Sequence, residues 1–196
     1  MDCYGDFIVC QFLSAGAEYW KDAIIAHLME LVPSQGIYER SDAKIRKREN
    51  LPFRQGSVWG KAPPDLITIQ EGNLQYYVDV IRGHKTGFYL DQRENRFQIA
   101  DYAQGGAVLN CFAYSGGFGL AALRYGADKV INIDASAGAL ELLNRNRELN
   151  QLSDQKIENM NKYNYFLDFR IIVFFYSNNI PTCISQKNYK YIYLQI

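Results

Sequence analysis

Histidine is scarce, with two residues in the chain, and the four cysteines (Cys3, Cys10, Cys111 and Cys183) form no C-x-x-C pair. This scatter supplies neither metal-ligand spacing nor a disulfide framework, so no metal is expected, and the compartment is read as reducing and cytoplasmic. No apolar run approaches the ~20 residues needed to cross a bilayer, and the N-terminus lacks the basic-then-apolar form of a signal peptide, so no membrane partner is expected. Net charge is lacking too, since Lys+Arg and Asp+Glu both count 21. A protein that grips RNA mainly through phosphates carries a basic excess, so any RNA contact here must be local or supplied elsewhere. No internal repeat stands out at periods of ~20–50 residues.

What is present is an ordinary globular composition, 48% apolar and 21% charged, organised around the stretch from Ala107 to Asn150. Val108, Leu109, Cys111 and Phe112 form a short apolar run that breaks at Ser115-Gly116-Gly117, after which Leu120, Ala121 and Leu123 have helical spacing. A second run, Val130, Ile131 and Ile133, stops on Asp134, and Ser136 then precedes a helical pattern through Leu140, Leu142, Leu143 and Leu149. This pattern predicts a βαβ unit with its following helix. A glycine turn at such a strand end lets a ligand approach the main chain, and an acid ~20 residues on can accept hydrogen bonds from ribose hydroxyls. Asp134 stands at that place. The alternative for the turn is a plain structural connection, and for Asp134 a helix N-terminal charge.

Gly117 to Ala122 fits the G-x-G-x-x-A form of the dinucleotide fingerprint. Its register argues against an NAD-dependent oxidoreductase: Ala113, Tyr114, Ser115 and Gly116 separate the first glycine from the strand and push Gly119 into the helix. A looser loop of this kind suits an adenosyl ligand without a pyrophosphate.

Upstream, Phe7–Leu13 reads as a strand, Ala17–Leu31 as a helix closed by Pro33, and Ile37–Arg40 as a short strand. Asp42–Asn50 is a charged, helix-like stretch whose Lys44, Arg46, Lys47 and Arg48 form either a solvated face or an RNA-facing patch. Strands over Leu66–Gln70 and Leu74–Val80 around Glu71-Gly72-Asn73 predict a hairpin. In the loop from Lys85 to Arg93, Phe88 and Tyr89 are either core residues or aromatic faces for an adenine or a sulfonium cation.

Three blocks in this order, Tyr38-Glu39-Arg40-Ser41-Asp42, Lys85 to Arg93, and Asn110 to Gly119, resemble a known family. It is the class I S-adenosylmethionine-dependent methyltransferases that make 5-methylcytosine in large-subunit ribosomal RNA. The resemblance runs from about Asp2 to Leu152. It implies an α/β fold: a partial Rossmann-like class I methyltransferase domain preceded by a small α+β domain. The boundaries expected are 1–82 for the α+β domain, 83–155 for the N-terminal half of the cofactor domain, and 156–196 for an atypical tail. It also implies S-adenosylmethionine as cofactor and ribosomal RNA as substrate. The cofactor-binding residues it implies are Lys85, Thr86, Phe88, Tyr89, Asp91, Gln92, Asn110, Phe112, Tyr114, Ser115, Gly116, Gly117 and Asp134.

No catalytic residue is assigned. The chemistry requires a thiolate that adds to cytosine C6; in the resembled family it comes from a later part of the domain, and Cys111 reads as a small buried residue instead. From Lys156 to Ile196 there is neither glycine nor alanine, and no Asp-Pro-Pro motif. That tail is read as foreign to the domain, although Asp168–Tyr176 has the pattern of a strand. The expected edge of the first cofactor-domain strand is therefore uncovered. The chain is also expected to begin after the family's RNA-binding PUA domain. It is read as a methyltransferase fragment inactive alone, with a non-enzymatic remnant as the alternative.

Overall fold

Gly5-Asp6 separates two strand-favouring runs, and the chain turns there with Gly5 at φ +55° so that β1 (Asp2–Tyr4) pairs antiparallel with β2 (Phe7–Cys10). The structure is a computed structural model that describes residues 1–161, 184–186 and 189–191. It divides into two units, Met1–Ile69 with Tyr77–Leu90, and Gln70–Tyr76 with Asp91–Ile196.

In the first unit a crossover of α1 (Ala15–Tyr19) and α2 (Lys21–Leu31) leads from β2 to β3 (Gly36–Ser41), which runs parallel to β2. Ser14 caps α1 by accepting from the Ala17 N–H at 3.3 Å. Ile24, Ile25 and Leu28 of α2 cover Ile8, Cys10, Phe12 and Ile37, as their i, i+4 spacing requires. β4 (Arg54–Gly60) pairs antiparallel with β3 and completes the order β1-β2-β3-β4.

β3 is buried along its length, and the side chains of Glu39, Arg40 and Ser41 each find a polar partner. Glu39 pairs with Lys21, and the Ser41 hydroxyl accepts from the Phe12 N–H at 2.9 Å. Arg40 donates to the carbonyls of Val80 at 2.9 Å and Gly83 at 3.1 Å. The block Tyr38 to Asp42 thus serves as an anchor for the 80–83 segment.

The charged stretch after β3 is a 3-10 helix, Lys44–Glu49, and Arg46 in it is fully buried. Its guanidinium donates to the Pro52 carbonyl at 2.8 Å, to the Phe12 carbonyl, and to Glu18 Oε2 at 2.8 Å. Neither a solvated face nor an RNA-facing patch describes Arg46, which corrects the expectation for that residue. Lys44, Lys47 and Arg48 are exposed. Glu18 also meets Arg54 at 3.0 Å, and the hydrogen bond from Arg46 holds its carboxyl below the ordinary value of 4.5 against the opposing effect of burial. A carboxyl with a depressed folded pKa contributes stability above its unfolded pKa and loses it as pH falls through the folded one. Acid titration of unfolding should show stability falling below pH ~4, and Glu18→Gln should flatten that slope.

The hairpin of β5 (Ile67–Glu71) and β6 (Leu74–Val78) turns at Gly72-Asn73, as the sequence predicts. In the second unit, α3 (Arg93–Ala103) precedes β7 (Ala107–Cys111), α4 (Gly117–Arg124), β8 (Lys129–Asp134) and α5 (Ala137–Leu149). β7 and β8 are parallel, and β9 (Ile157–Asn161) adds a third parallel strand beside β8. This is the Rossmann-like sheet the fold class calls for, with β7 and β9 at the ends of the order β7-β8-β9. The strand at β9 was not expected, because Ile157-Glu158-Asn159-Met160-Asn161 alternates weakly. A short hairpin pairs β10 (Ile184–Gln186) with β11 (Tyr189–Tyr191). The strand expected at Asp168–Tyr176, and Cys183, lie outside the described residues.

Glu71, Arg96 and Phe118 form a buried polar cluster in this unit. Arg96 grips both Glu71 oxygens at 2.6 Å, and its guanidinium lies 5.8 Å from the Phe118 ring centroid.

Candidate cofactor site

β7 ends in a turn whose backbone is unusual at three positions. Phe112, Tyr114 and Gly116 have φ of +58°, +49° and +86°, and left-handed conformations in non-glycine residues cluster at ligand-binding sites. The turn is held from three sides. The Ala113 N–H donates to the Ile133 carbonyl at 3.1 Å, the Tyr114 N–H to Asp134 Oδ2 at 2.8 Å, and Asn146 Nδ2 to the Ser115 carbonyl at 3.0 Å. Gly116 then precedes α4, which no side chain caps. A Cβ on Gly116 would lie 2.5 Å from Leu143 Cγ, so glycine is required there both by conformation and by the approach of α5. Tyr76 closes the far side, donating to the Gly117 carbonyl at 3.2 Å; burial pushes its phenol pKa up, keeping it a neutral donor.

Asp134 is half-buried at the end of β8 and accepts the Tyr114 N–H through Oδ2 and the Ser136 N–H through Oδ1, each at 2.8 Å. These bonds fix the carboxylate plane. A carboxylate has about four acceptor sites, so each oxygen keeps capacity for a hydroxyl donor. Ser115 is 1% exposed, and its hydroxyl has no hydrogen-bond partner. Buried hydroxyls without a partner are uncommon in folded proteins.

Asn110 acts from beneath. Its side chain donates to Asn132 at 2.9 Å, Asn132 to Asn159 at 2.9 Å, and Asn159 to Asn144 at 2.7 Å. Asn110, Asn132 and Asn159 face one another across the three parallel strands, making an amide ladder. α4 lies against it: a Cβ on Gly119 would stand 2.3 Å from Asn132 Oδ1. Asn132→Ala would leave the Asn110 amide and the Asn159 carbonyl unpaired, for a loss of about 1–3 kcal/mol. Urea unfolding checks this, and Asn132→Asp should be tolerated worse than a surface change because it places a charge among buried amides.

Of the expected site residues, the second unit brings together Phe112, Tyr114, Ser115, Gly116, Gly117 and Asp134. Phe112 is 51% exposed, whereas Tyr114 is buried. Asp91 and Gln92 lie in a 3-10 turn, Leu90–Gln92, before α3. Lys85, Thr86, Phe88 and Tyr89 belong to the first unit. There Thr86 and Phe88 are buried: the Tyr4 hydroxyl meets the Thr86 hydroxyl at 2.8 Å and the Phe88 N–H and carbonyl at 3.1 Å each. Lys85 Nζ lies 5.8 Å from the Tyr89 ring centroid. Sequence reasoning missed Asn132 and Asn146, which act through strands and helices distant in the chain, whereas Ser136, placed by its pattern before the helix, does cap α5 by accepting from the Ala139 N–H at 3.2 Å.

Cys111 is half-buried, and burial pushes its thiol pKa up, the opposite of what a thiolate nucleophile needs. Among the described residues no group of three or more His, Cys, Asp or Glu could hold a metal ion. No described helix is long and apolar enough to cross a membrane.

The chain is similar to the ribosomal RNA large subunit methyltransferase I of Aeromonas hydrophila, at 51% identity over 153 residues, covering 78% of this chain and 38% of that protein. The protein of the same name from Tolumonas auensis is 52% identical with the same coverage. The chain thus spans about two fifths of the length of these relatives. Among solved structures, an S-adenosylmethionine-dependent methyltransferase from Streptococcus mutans superposes with a TM-score of 0.69 at 29% identity, over 81% of this chain and 40% of that one. A methyltransferase complexed with S-adenosylhomocysteine gives 0.71 at 29% identity, over 85% and 42%. The family model described as S-adenosylmethionine-dependent methyltransferase matches residues 50–169, and the chain belongs to that family.

Proposed function

We propose that this chain carries the S-adenosylmethionine-binding turn of an enzyme that methylates cytosine C5 in large-subunit ribosomal RNA. The observation that supports this most is the strained turn from Phe112 to Gly116 fixed against the Asp134 carboxylate. The residues fit an adenosyl ligand. Asp134 would accept from ribose hydroxyls, the Ser115 hydroxyl would meet a polar atom of the ligand, and the Gly116-Gly117 backbone would let it lie close. When bound, the cofactor supplies a methyl group made electrophilic by its sulfonium. Tyr114 and Ser136 do not touch it in this reading; their N–H groups hold Asp134 so that no reorientation is needed on binding.

Cytosine C5 gains nucleophilicity only after a thiolate adds to C6. Cys111, with its raised pKa, is a poor candidate, and Cys10 is buried with its thiol pushed up to about 11. We therefore expect cofactor binding without methyl transfer from the chain alone. The test is incubation with unmodified large-subunit ribosomal RNA and the cofactor labelled in its methyl group, followed by nucleoside analysis. Label in 5-methylcytosine on adding the rest of a homologous enzyme, and none without it, is the expected pattern. Label in another nucleoside would overturn the cytosine assignment, and transfer by the chain alone would overturn the division of labour.

A further inference from the structure

We infer that the exposed side of the 3-10 helix Lys44–Glu49, with Phe53, is a docking surface for single-stranded RNA. This inference rests on the ribosomal RNA substrate of the preceding reading and names the surface that would hold it. Residues three apart eclipse in a 3-10 helix, so Lys44 and Lys47 share one side while Arg46 turns into the core. Lys44, Lys47 and Arg48 are all exposed, and among the described residues no carboxylate pairs with them. The nearby acids are otherwise engaged. Glu18 is held by Arg46 and Arg54, Asp42 by Arg40 at 3.3 Å, and Glu49 Oε2 accepts the Ala15 N–H at 3.1 Å.

An aromatic ring accompanies the cations. Phe53 is 49% exposed, and Lys47 Nζ lies 5.3 Å from its ring centroid. An apolar ring held at the surface by a cation, with two more cations within a few residues, matches how unpaired RNA is recognised: bases stack on the ring while the phosphates meet the ammonium and guanidinium groups. Buried Arg46 makes the presentation rigid. Its bonds to Pro52, Phe12 and Glu18 tie the helix to the segment leading into Phe53 and to α1. The balanced net charge of the whole chain leaves attraction for a polyanion to local clusters of this kind.

The test uses the full chain and a fluorescently labelled unstructured oligoribonucleotide, with anisotropy read at several salt concentrations. Lys47→Glu with Arg48→Glu should weaken binding at least tenfold at low salt, and the salt slope of the corresponding alanine pair should fall by about 1.4, at about 0.7 per lost single-strand phosphate contact. Phe53→Ala should weaken binding about 5–150-fold, as expected for one lost base stack. Lys156→Glu, an exposed change on the second unit, should leave binding within twofold. Each variant is checked for fold by circular dichroism and for S-adenosylmethionine binding by dialysis, which should not change. Equal RNA binding by parent and patch variants would overturn the inference, as would absence of RNA binding by the parent, or binding to phosphatidylserine vesicles in place of RNA. Loss of cofactor binding in the parent would instead count against the proposed function.

Discussion

Arg96→Ala is expected to lower the stability of the second unit by about 3–5 kcal/mol, the usual consequence of leaving one buried charge without its partner. With an m-value of about 2 kcal/mol/M, the urea midpoint should fall by about 2 M. The reason lies in the geometry. Arg96 and Glu71 are 2% and 6% exposed, and both carboxylate oxygens are taken by guanidinium nitrogens at 2.6 Å. Removing the arginine strands a buried carboxylate. Glu71→Ala should cost a similar amount by stranding the guanidinium. The double variant Glu71→Leu with Arg96→Met should recover most of the loss, because it removes both charges of the pair together. A single variant within 1 kcal/mol of the parent would show that this pair is not the polar centre of the unit.

Gly116→Ala should have the next largest effect, and on two readouts. At φ +86° any side chain is strained, and the left-handed conformation costs about 1–2 kcal/mol. The new Cβ would also meet Leu143 Cγ at 2.5 Å, and overpacking of this kind adds about 1–3 kcal/mol. Relief requires the turn to move away from α5, which would shift the Ser115 hydroxyl and the Tyr114 N–H that fixes Asp134. Cofactor affinity should therefore fall along with stability. Gly105→Ala separates the two causes, since Gly105 has φ +63° with nothing within 4 Å of the added carbon. It should show the conformational cost alone and leave cofactor binding intact.

The second unit was legible in sequence because each of its elements carries a local signal. β7 and β8 are short apolar runs, the glycine pair breaks the chain between strand and helix, and Ser136 caps α5. The hairpin at Gly72-Asn73 is legible for the same reason. What the sequence conceals is lateral. Asn110, Asn132 and Asn159 meet because strands in parallel register bring them opposite one another, and nothing local distinguishes them from solvent-facing asparagines. Arg46 shows the same limit: it sits in a run of cations, and only the packing of Glu18 and the Phe12 carbonyl decides that this one turns inward. Thr86 and Phe88 are met by the Tyr4 hydroxyl, 82 and 84 positions away in the chain, a contact that no local pattern announces.

In the proposed site S-adenosylmethionine lies at the β7–α4 turn with its ribose on Asp134. Calorimetric titration of the chain with S-adenosylhomocysteine, alongside Asp134→Ala and with NAD as competitor, tests that placement. The expected result is saturable binding by the parent, at least a tenfold loss in a folded Asp134→Ala variant, and no displacement by NAD. Equal affinity in the variant would show that the ribose does not rest on Asp134, and tight NAD binding with no response to S-adenosylhomocysteine would overturn the adenosyl site itself.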